Sequence, residues 1–188
     1  AAIREAIESY GHNVVELEAT PELPSLLPSA DVDLVFNIAE GFRGRHRESQ
    51  IPALLELIGI PYTGSDPTAL SLALDKGLAK RVVRQAGLLT PPFVLLTTGR
   101  ERLPRDFSFP AIVKPVAEGS SKGILQTSVV ESEAELRELA VETAGRYRQA
   151  VIAEEFVGGR EFTVGLLGDR RPRARPPMEG VYEGGREE

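Results

Sequence analysis

Apolar positions follow helical and strand spacing in turn along the first half of the chain. The spacing within residues 1–10 and again within residues 51–58 predicts helices. Residues 13–17 predict a short strand, and the β-branched run at residues 31–38 predicts a strand that is fully buried. Strands alternating with helices favour an α/β layer with parallel strands.

Capping residues predict where several helices begin. Asp66 is a capping residue followed by Pro67, which is favoured at the first helical position, and Asp75 is a second such start. Ser132 with Glu135 forms a capping box that opens a helix reaching about residue 146. These residues set helix boundaries without reference to the rest of the fold.

The second half of the chain is richer in strand patterns. Residues 93–96, 111–114, 124–130, 151–156 and 161–167 predict strands. Pro91 and Pro92 mark the domain boundary, between an N-terminal α/β domain of residues 1–90 and a smaller α+β domain.

Composition narrows the class of protein. The chain has 188 residues, 41% hydrophobic and 27% charged, with a net charge of −6 and no cysteine. An acidic chain has no general attraction for nucleic acid or an anionic membrane. No membrane span or leader pattern is present, so we expect a cytoplasmic protein without nucleic-acid or membrane partners. The arginine-rich residues 170–175 are interpreted as a loop beside an edge strand.

Residues 109–124, FPAIVKPVAEGSSKGI, carry the clearest candidate chemistry. A β-branched strand delivers Lys114, and a loop rich in Gly and Ser leads into a second strand pattern. Backbone N–H groups and hydroxyls of such a loop suit an anion, and the lysine supplies a point charge for phosphate. The pattern predicts a hairpin folded over a nucleotide. The alternative is a solvent-facing lysine at a sheet edge, with a loop that has no ligand.

Five blocks in order resemble the D-alanine–D-alanine ligase group of ATP-grasp ligases. They are residues 109–124 together with DLVFNIAEG (33–41), PALLELIGIPYTGS (52–65), LALDKGLAKRVVRQAGLLTPP (72–92) and AEEFVGGREFTVGLLGD (153–169). The resemblance implies an α/β ATP-grasp protein with an N-terminal pre-ATP-grasp domain, residues 1–90. A central α+β nucleotide-binding lobe, residues 91–157, would follow. Residues 158–188 would begin a C-terminal ATP-grasp domain that is largely absent from the sequence, which we expect to be part of a longer protein.

The resemblance also implies a reaction. Such ligases use ATP and Mg²⁺ to join two small amino-acid substrates into a dipeptide through an acyl phosphate, and D-alanyl-D-alanine for peptidoglycan is the favoured product. The metal ligands of the family lie near its C-terminus, so we expect none within this sequence, and we expect the 188 residues alone to be inactive. Homodimers are common in the family.

Particular residues inherit roles by this resemblance. Lys76 and Lys114 would contact the ATP phosphates, and Ser120 and Ser121 would close over them. Ser120 would also place the substrate, and Glu48 would act on the substrate side. Adenine would be bound at Glu154, Glu155, Phe156 and Val157, and the ribose hydroxyls by Glu161.

Each role has a simpler alternative. Glu48 is favourable near a helix N-terminus on dipole grounds alone. Lys80, one turn after Lys76, is expected to be solvated, as is one of the two acids at 154 and 155. The alternative for Glu161 is a salt bridge with Arg160 or another surface cation.

The loop at residues 40–49 departs from the family pattern. Members usually carry His-Gly and then Gly-Glu-Asp-Gly, whereas this chain has Glu40-Gly41 and the basic run GRHRES at residues 44–49. This difference leaves open a ligase for another amino-acid or carboxylate pair. A nucleotide-binding relative without catalytic activity is the alternative from a different functional class.

Overall fold

The computed structural model describes residues 1–105, 107–119 and 128–180. The N-terminal part contains helices α1 (Ala2–Ser9), α2 (Leu23–Leu26), α3 (Gln50–Ile58), α4 (Pro67–Leu74) and α5 (Lys76–Gln85), with 3₁₀ turns at Leu27–Ser29 and Arg47–Ser49. The rest contains β1 (Phe93–Leu96), β2 (Ala111–Pro115), β3 (Val129–Val130), α6 (Glu133–Tyr147), β4 (Val151–Glu155), β5 (Phe162–Thr163), β6 (Leu166–Leu167), β7 (Arg173–Ala174) and β8 (Met178–Glu179).

A four-stranded sheet forms the centre of the second half. Its strand order is β1-β4-β2-β3, and each neighbouring pair is antiparallel. Helix α6 packs on one face, where its fully buried Leu136 joins Leu96, Val113 and Val151 in the main core cluster. Because the paired strands are antiparallel and one helix covers the sheet, this half has the α+β arrangement that the sequence predicted.

The predicted helix starts are confirmed. The Asp66 carboxylate accepts a hydrogen bond from the Ala69 N–H at 2.8 Å, and the Asp75 carboxylate accepts one from the Leu78 N–H at 3.0 Å. At Ser132 the capping box is reciprocal, because the Glu135 N–H donates to its hydroxyl oxygen while the Glu135 carboxylate accepts from the Glu131 N–H. These caps satisfy N–H groups that a helix start leaves without partners.

The two N-terminal strand predictions are wrong. Residues 13–17 form no strand, and in residues 31–38 only Val35 makes a β-bridge, parallel to Tyr62. Leu34, Phe36 and Ile38 are 55%, 51% and 70% exposed. Within residues 1–105 no further strand flanks this segment, so these three side chains are not covered. The N-terminal core is instead a small cluster in which Leu23, Leu27 and Leu55 are buried.

Two short antiparallel ribbons follow the central sheet. Residues 161–167, predicted as one strand, form β5 and β6, which pair with β8 and β7 respectively. The arginine-rich segment at 170–175 contributes Arg173–Ala174 as β7 itself and is therefore not a loop beside a strand. Of the strand predicted at 124–130, residues 124–127 lie outside the described residues, and Val129–Val130 is strand β3. In the described ranges no helix is both long and apolar enough to cross a membrane.

Candidate functional site

Glu154 lies between two lysines at the end of the central sheet. Strands β2 and β4 pair so that Lys114 and Glu154 lie near each other, and the Lys114 ammonium donates to the Glu154 carboxylate. Lys80 of α5 donates to the other carboxylate oxygen at 2.5 Å. The three side chains are only 20%, 13% and 12% exposed for Lys114, Glu154 and Lys80. The expectation that Lys80 is solvated is therefore wrong.

The charge state of Glu154 follows from these neighbours. Partial burial raises the pKa of its carboxyl, but the hydrogen bonds and positive charges of Lys114 and Lys80 outweigh burial and hold the pKa below its usual range. Glu154 is therefore an ionised carboxylate that partly neutralises two cations.

Lys76 brings a further positive charge to the same region. It is the first residue of α5, directly after the cap Asp75, and its ammonium donates to the backbone carbonyl of Glu118. Partial burial and the nearby charge of Lys114 lower the pKa of Lys76, although Glu118, Glu154 and Glu48 oppose that shift. The predicted phosphate lysines thus lie within electrostatic range of each other, although 38 positions separate them in the sequence.

The basic loop at residues 40–49 contacts both lysine-bearing segments. Arg47 donates to the Ala117 carbonyl at 2.7 Å and to the Glu118 carboxylate at 3.1 Å. The Gln149 side chain also donates to Glu118 at 2.8 Å. The predicted site residues did not include Arg47, Glu118 or Gln149. The basic run was the available sequence signal for Arg47, but its partner is 71 positions away.

Glu48 lies beside the start of the predicted phosphate loop. It belongs to the 3₁₀ turn Arg47–Ser49 and is partly buried. A Cβ placed on Gly119 would lie 3.1 Å from its carboxylate. The structure therefore brings Glu48 to the same region as Lys76. Ser120 and Ser121 lie outside the described residues.

The predicted adenine segment leaves the sheet at the end of β4. The Glu155 N–H donates to the Pro92 carbonyl at 3.1 Å, and the Phe156 N–H donates to the Pro110 carbonyl at 2.9 Å. The Glu155 carboxylate accepts from the Ser108 N–H at 2.9 Å, so both adjacent acids have hydrogen-bond partners and neither is simply a solvated edge. Val157 is 71% exposed and follows the last strand residues.

Glu161 is placed at the edge of a ribbon. Its side chain is exposed, and its backbone carbonyl accepts from the Gly180 N–H at 2.9 Å. Arg160 forms a bidentate ion pair with Glu179, and both N···O distances are 2.7 Å. Arg160 is therefore paired with Glu179 and not with Glu161, and the ribose role of Glu161 remains a prediction.

The described residues do not form a metal-binding cluster. In ranges 1–105, 107–119 and 128–180, no group of three or more His, Cys, Asp or Glu side chains is placed to hold a cation. Mg²⁺ needs a set of oxygen ligands, usually including one or two carboxylates. Glu154 and Glu118 are already engaged by cations and a side-chain amide. This donor set does not fit a magnesium site.

Comparison with known proteins identifies the family. The family model described as "D-ala D-ala ligase C-terminus" matches residues 82–185, more than half of the chain. The chain belongs to the D-alanine–D-alanine ligase family. A D-alanine–D-alanine ligase from Aquifex aeolicus is 39% identical over 185 residues, covering 97% of this chain and 62% of the relative. One from Geobacter sulfurreducens is 37% identical and covers 90% and 52%. The chain thus spans about half to three fifths of the length of these relatives.

Solved structures of the family share the fold. A D-alanine–D-alanine ligase from Bacillus anthracis, in complex with ATP, superposes with a TM-score of 0.71 at 24% identity, covering 94% of this chain and 57% of that one. The VanG D-Ala:D-Ser ligase from Enterococcus faecalis superposes at 0.64 with 29% identity, covering 79% and 43%. These matches confirm the predicted ATP-grasp fold class. The domain boundaries at 90 and 157 stay predictions.

Proposed function

We propose that the chain is part of an ATP-dependent D-alanine–D-alanine ligase, an enzyme that makes the dipeptide used as a peptidoglycan precursor. The observation that carries this proposal is the convergence of Lys76 and Lys114, from a helix start and a strand end, on one partly buried region. The proposed partners of the protein are small amino-acid substrates, with no nucleic acid. The proposal also includes a cytoplasmic location, where ATP is available, and a homodimer, which the family resemblance implies.

The proposed reaction has two steps. The γ-phosphoryl group of ATP passes to a carboxylate oxygen of the first D-alanine, which gives an acyl phosphate and ADP. The amine of the second D-alanine then attacks the acyl carbon, loses a proton and expels phosphate, which leaves an amide bond. The chain's own contribution is positioning and charge neutralisation.

Lys76 and Lys114 would neutralise the negative charge of the polyphosphate as it is transferred. In the structure, the Lys114 ammonium donates a hydrogen bond to the Glu154 carboxylate. A phosphate oxygen would replace Glu154 on Lys114, while Lys80 retains its bond to Glu154. This exchange would free the Lys114 ammonium for a phosphate oxygen when ATP binds, and would keep it paired with Glu154 when ATP is absent.

Residues 154–157 would bind the adenine ring. The N–H groups of Glu155 and Phe156 already donate within the protein, so hydrogen bonds to adenine from this segment would use backbone carbonyls or the Val157 N–H. An apolar slot with a few backbone hydrogen bonds is the usual way to recognise such a ring. Glu161 would accept hydrogen bonds from the ribose hydroxyls.

Glu48 and Ser120 would act on the amino-acid side. A carboxylate beside Lys76 and Gly119 can hold the ammonium group of an amino acid close to the transferred phosphate. Phosphoryl transfer also calls for Mg²⁺ on the phosphates. Since the described donor set does not fit this ion, no step of the proposal is assigned to a metal.

A ligase for a different substrate pair is the second candidate. The loop that carries Glu48 has Glu40 where the family usually has histidine, and it is strongly basic. The VanG neighbour is named for D-Ala and D-Ser, so the fold accommodates another second amino acid. The first substrate, the second substrate or both would differ in that case.

The experiment is ADP release by the full-length protein with ATP and Mg²⁺, with a panel of D- and L-amino acids and mass spectrometry of the product. D-alanine-dependent release with D-alanyl-D-alanine as product supports the first proposal. Release with another amino acid supports the second. ATP binding without release for any amino acid would contradict both and leave a nucleotide-binding relative. Lys114→Met is the matched inactive control.

A further inference from the structure

Two arginines of the basic loop bind residues that contact or precede Lys76. Arg45 donates to the Asp75 carboxylate at 2.7 Å, and the other oxygen of that carboxylate caps the helix that Lys76 begins. Arg47 donates to Glu118, whose backbone carbonyl accepts the hydrogen bond from the Lys76 ammonium. Hydrogen bonds through Asp75 and Glu118 therefore connect one loop to both the start of the Lys76 helix and the ammonium group of Lys76.

Arg47 is the more enclosed of the two arginines. Its side chain is 13% exposed and that of Glu118 is 15% exposed, whereas Arg45 is 65% exposed. One guanidinium nitrogen binds the Ala117 carbonyl and another binds the Glu118 carboxylate, so the two donors hold successive residues. A planar guanidinium can bridge two such acceptors in a fixed geometry, which a lysine ammonium cannot reproduce.

Gln149 binds the same two residues as Arg47. Its side-chain oxygen accepts from the Ala117 N–H at 2.6 Å, and its NH₂ group donates to the Glu118 carboxylate at 2.8 Å. Ala117 and Glu118 are thus fixed by side chains from two separate parts of the chain. Their location determines where the Glu118 carbonyl can meet Lys76.

We propose that Arg47 is a positioning residue for Lys76, acting through Glu118 to hold the lysine ammonium where it meets the ATP phosphates. This inference rests on the proposed role of Lys76 in phosphate binding. It assigns a function to the basic loop that differs from substrate selection. Because Arg47 and Glu48 are adjacent in one 3₁₀ turn, the loop beside the proposed amino-acid site also fixes a phosphate-binding charge.

A double-mutant cycle on ATP affinity tests the proposal. ATP binding to the full-length protein is measured by calorimetry with Mg²⁺ present, for wild type, Arg47→Met, Lys76→Met and the double variant. We expect Arg47→Met to weaken ATP binding about tenfold, a typical size for coupling between sites. In the Lys76→Met background the same change should have little further effect, because the lysine through which it acts is gone. Arg47→Lys should not restore wild-type affinity.

Arg43→Met is the matched control within the same loop. Its guanidinium lies over the Phe42 ring at 4.9 Å, and it is expected to leave ATP affinity unchanged. If Arg47→Met does not fold, Glu118→Gln replaces it in the cycle. That change removes the charge that Arg47 binds but keeps the backbone carbonyl, and we expect the same loss of additivity with Lys76→Met.

The outcomes separate this inference from the proposed function. A loss of affinity that persists in full in the Lys76→Met background would overturn the positioning role, since Arg47 would then act independently of the lysine. Wild-type affinity in Arg47→Met would overturn it as well. If Lys76→Met itself binds ATP as tightly as wild type, the phosphate role of Lys76 fails, and the inference fails with it.

Discussion

Replacing Glu154 by glutamine removes the carboxylate between Lys114 and Lys80 while keeping the shape of the side chain. Because all three side chains are no more than 20% exposed, two ammonium groups would lose their charged partner in a largely enclosed region. Breaking a buried ion pair from one side costs about 3 kcal/mol at the lower end of measured values. The lower end applies here, since the cluster is only partly enclosed and the glutamine oxygen can still accept one hydrogen bond.

Urea denaturation at neutral pH measures this change in the free energy of unfolding. A loss of about 3 kcal/mol would lower the melting temperature of a domain of this size by roughly 6–12 °C. The pH dependence gives a second test. The folded pKa of Glu154 lies below its usual range, so its contribution is present at neutral pH and is lost as the pH falls through the folded pKa. The difference between Glu154→Gln and wild type should therefore shrink under acid conditions.

Glu155→Gln is the matched control, because it changes the adjacent acid of the same strand. The Glu155 carboxylate accepts one hydrogen bond from the Ser108 N–H, and a glutamine oxygen can accept the same bond. We expect a change within about 0.5 kcal/mol. Equal losses in the two variants, or a Glu154→Gln effect independent of pH, would refute the ion-pair cluster as the source of stability.

Three further predictions concern single sites. Burial and the charge of Lys114 lower the pKa of Lys76, so ATP affinity measured by calorimetry should fall as the pH rises through that lowered pKa. Lys76→Arg should remove this pH dependence, and a fall of equal size in Lys76→Arg would contradict the role of Lys76. Gly41→Ala would place a Cβ 1.8 Å from the Arg47 carbonyl oxygen and should weaken both stability and ATP binding. Gly44→Ala is also at positive φ, but its Cβ would meet only the His46 ring at 3.9 Å, so it should cost only about 1 kcal/mol in urea denaturation. Equal losses in the two variants would argue against the contact with Arg47. Ser132→Ala should lower stability by about 1 kcal/mol, and an unchanged urea midpoint would show that the cap contributes nothing.

Local chemistry explains which parts of the fold could be predicted. The caps at Asp66, Asp75 and Ser132 involve residues within one helical turn, so the sequence contains both partners. Strand order is different, because β1 and β2 both pair with β4 across long separations. The run at residues 31–38 has the composition of a buried strand, but burial depends on neighbouring strands that the run itself does not encode.

The candidate site also contains residues that the sequence could single out and contacts that only the fold creates. The loop pattern and the family resemblance single out Lys76 and Lys114, and the structure places them near each other. The partner of Lys80 is Glu154, 74 positions away, and that of Arg47 is Glu118, 71 positions away. No periodicity connects residues at such separations. Helical spacing alone therefore favours a solvated Lys80, while the fold makes it part of an ion-pair cluster.

The central claim is that Lys76 and Lys114 form a phosphate-binding pair, and ATP titration of the full-length protein tests it most directly. Wild type, Lys114→Met and Arg81→Met are compared by calorimetry with Mg²⁺ present, where Arg81 is an exposed cation on the same helix as Lys76. Loss of one charge-assisted phosphate contact is expected to weaken binding by at least about tenfold in Lys114→Met. Arg81→Met should match wild type. ATP affinity in Lys114→Met equal to that of wild type would contradict the account.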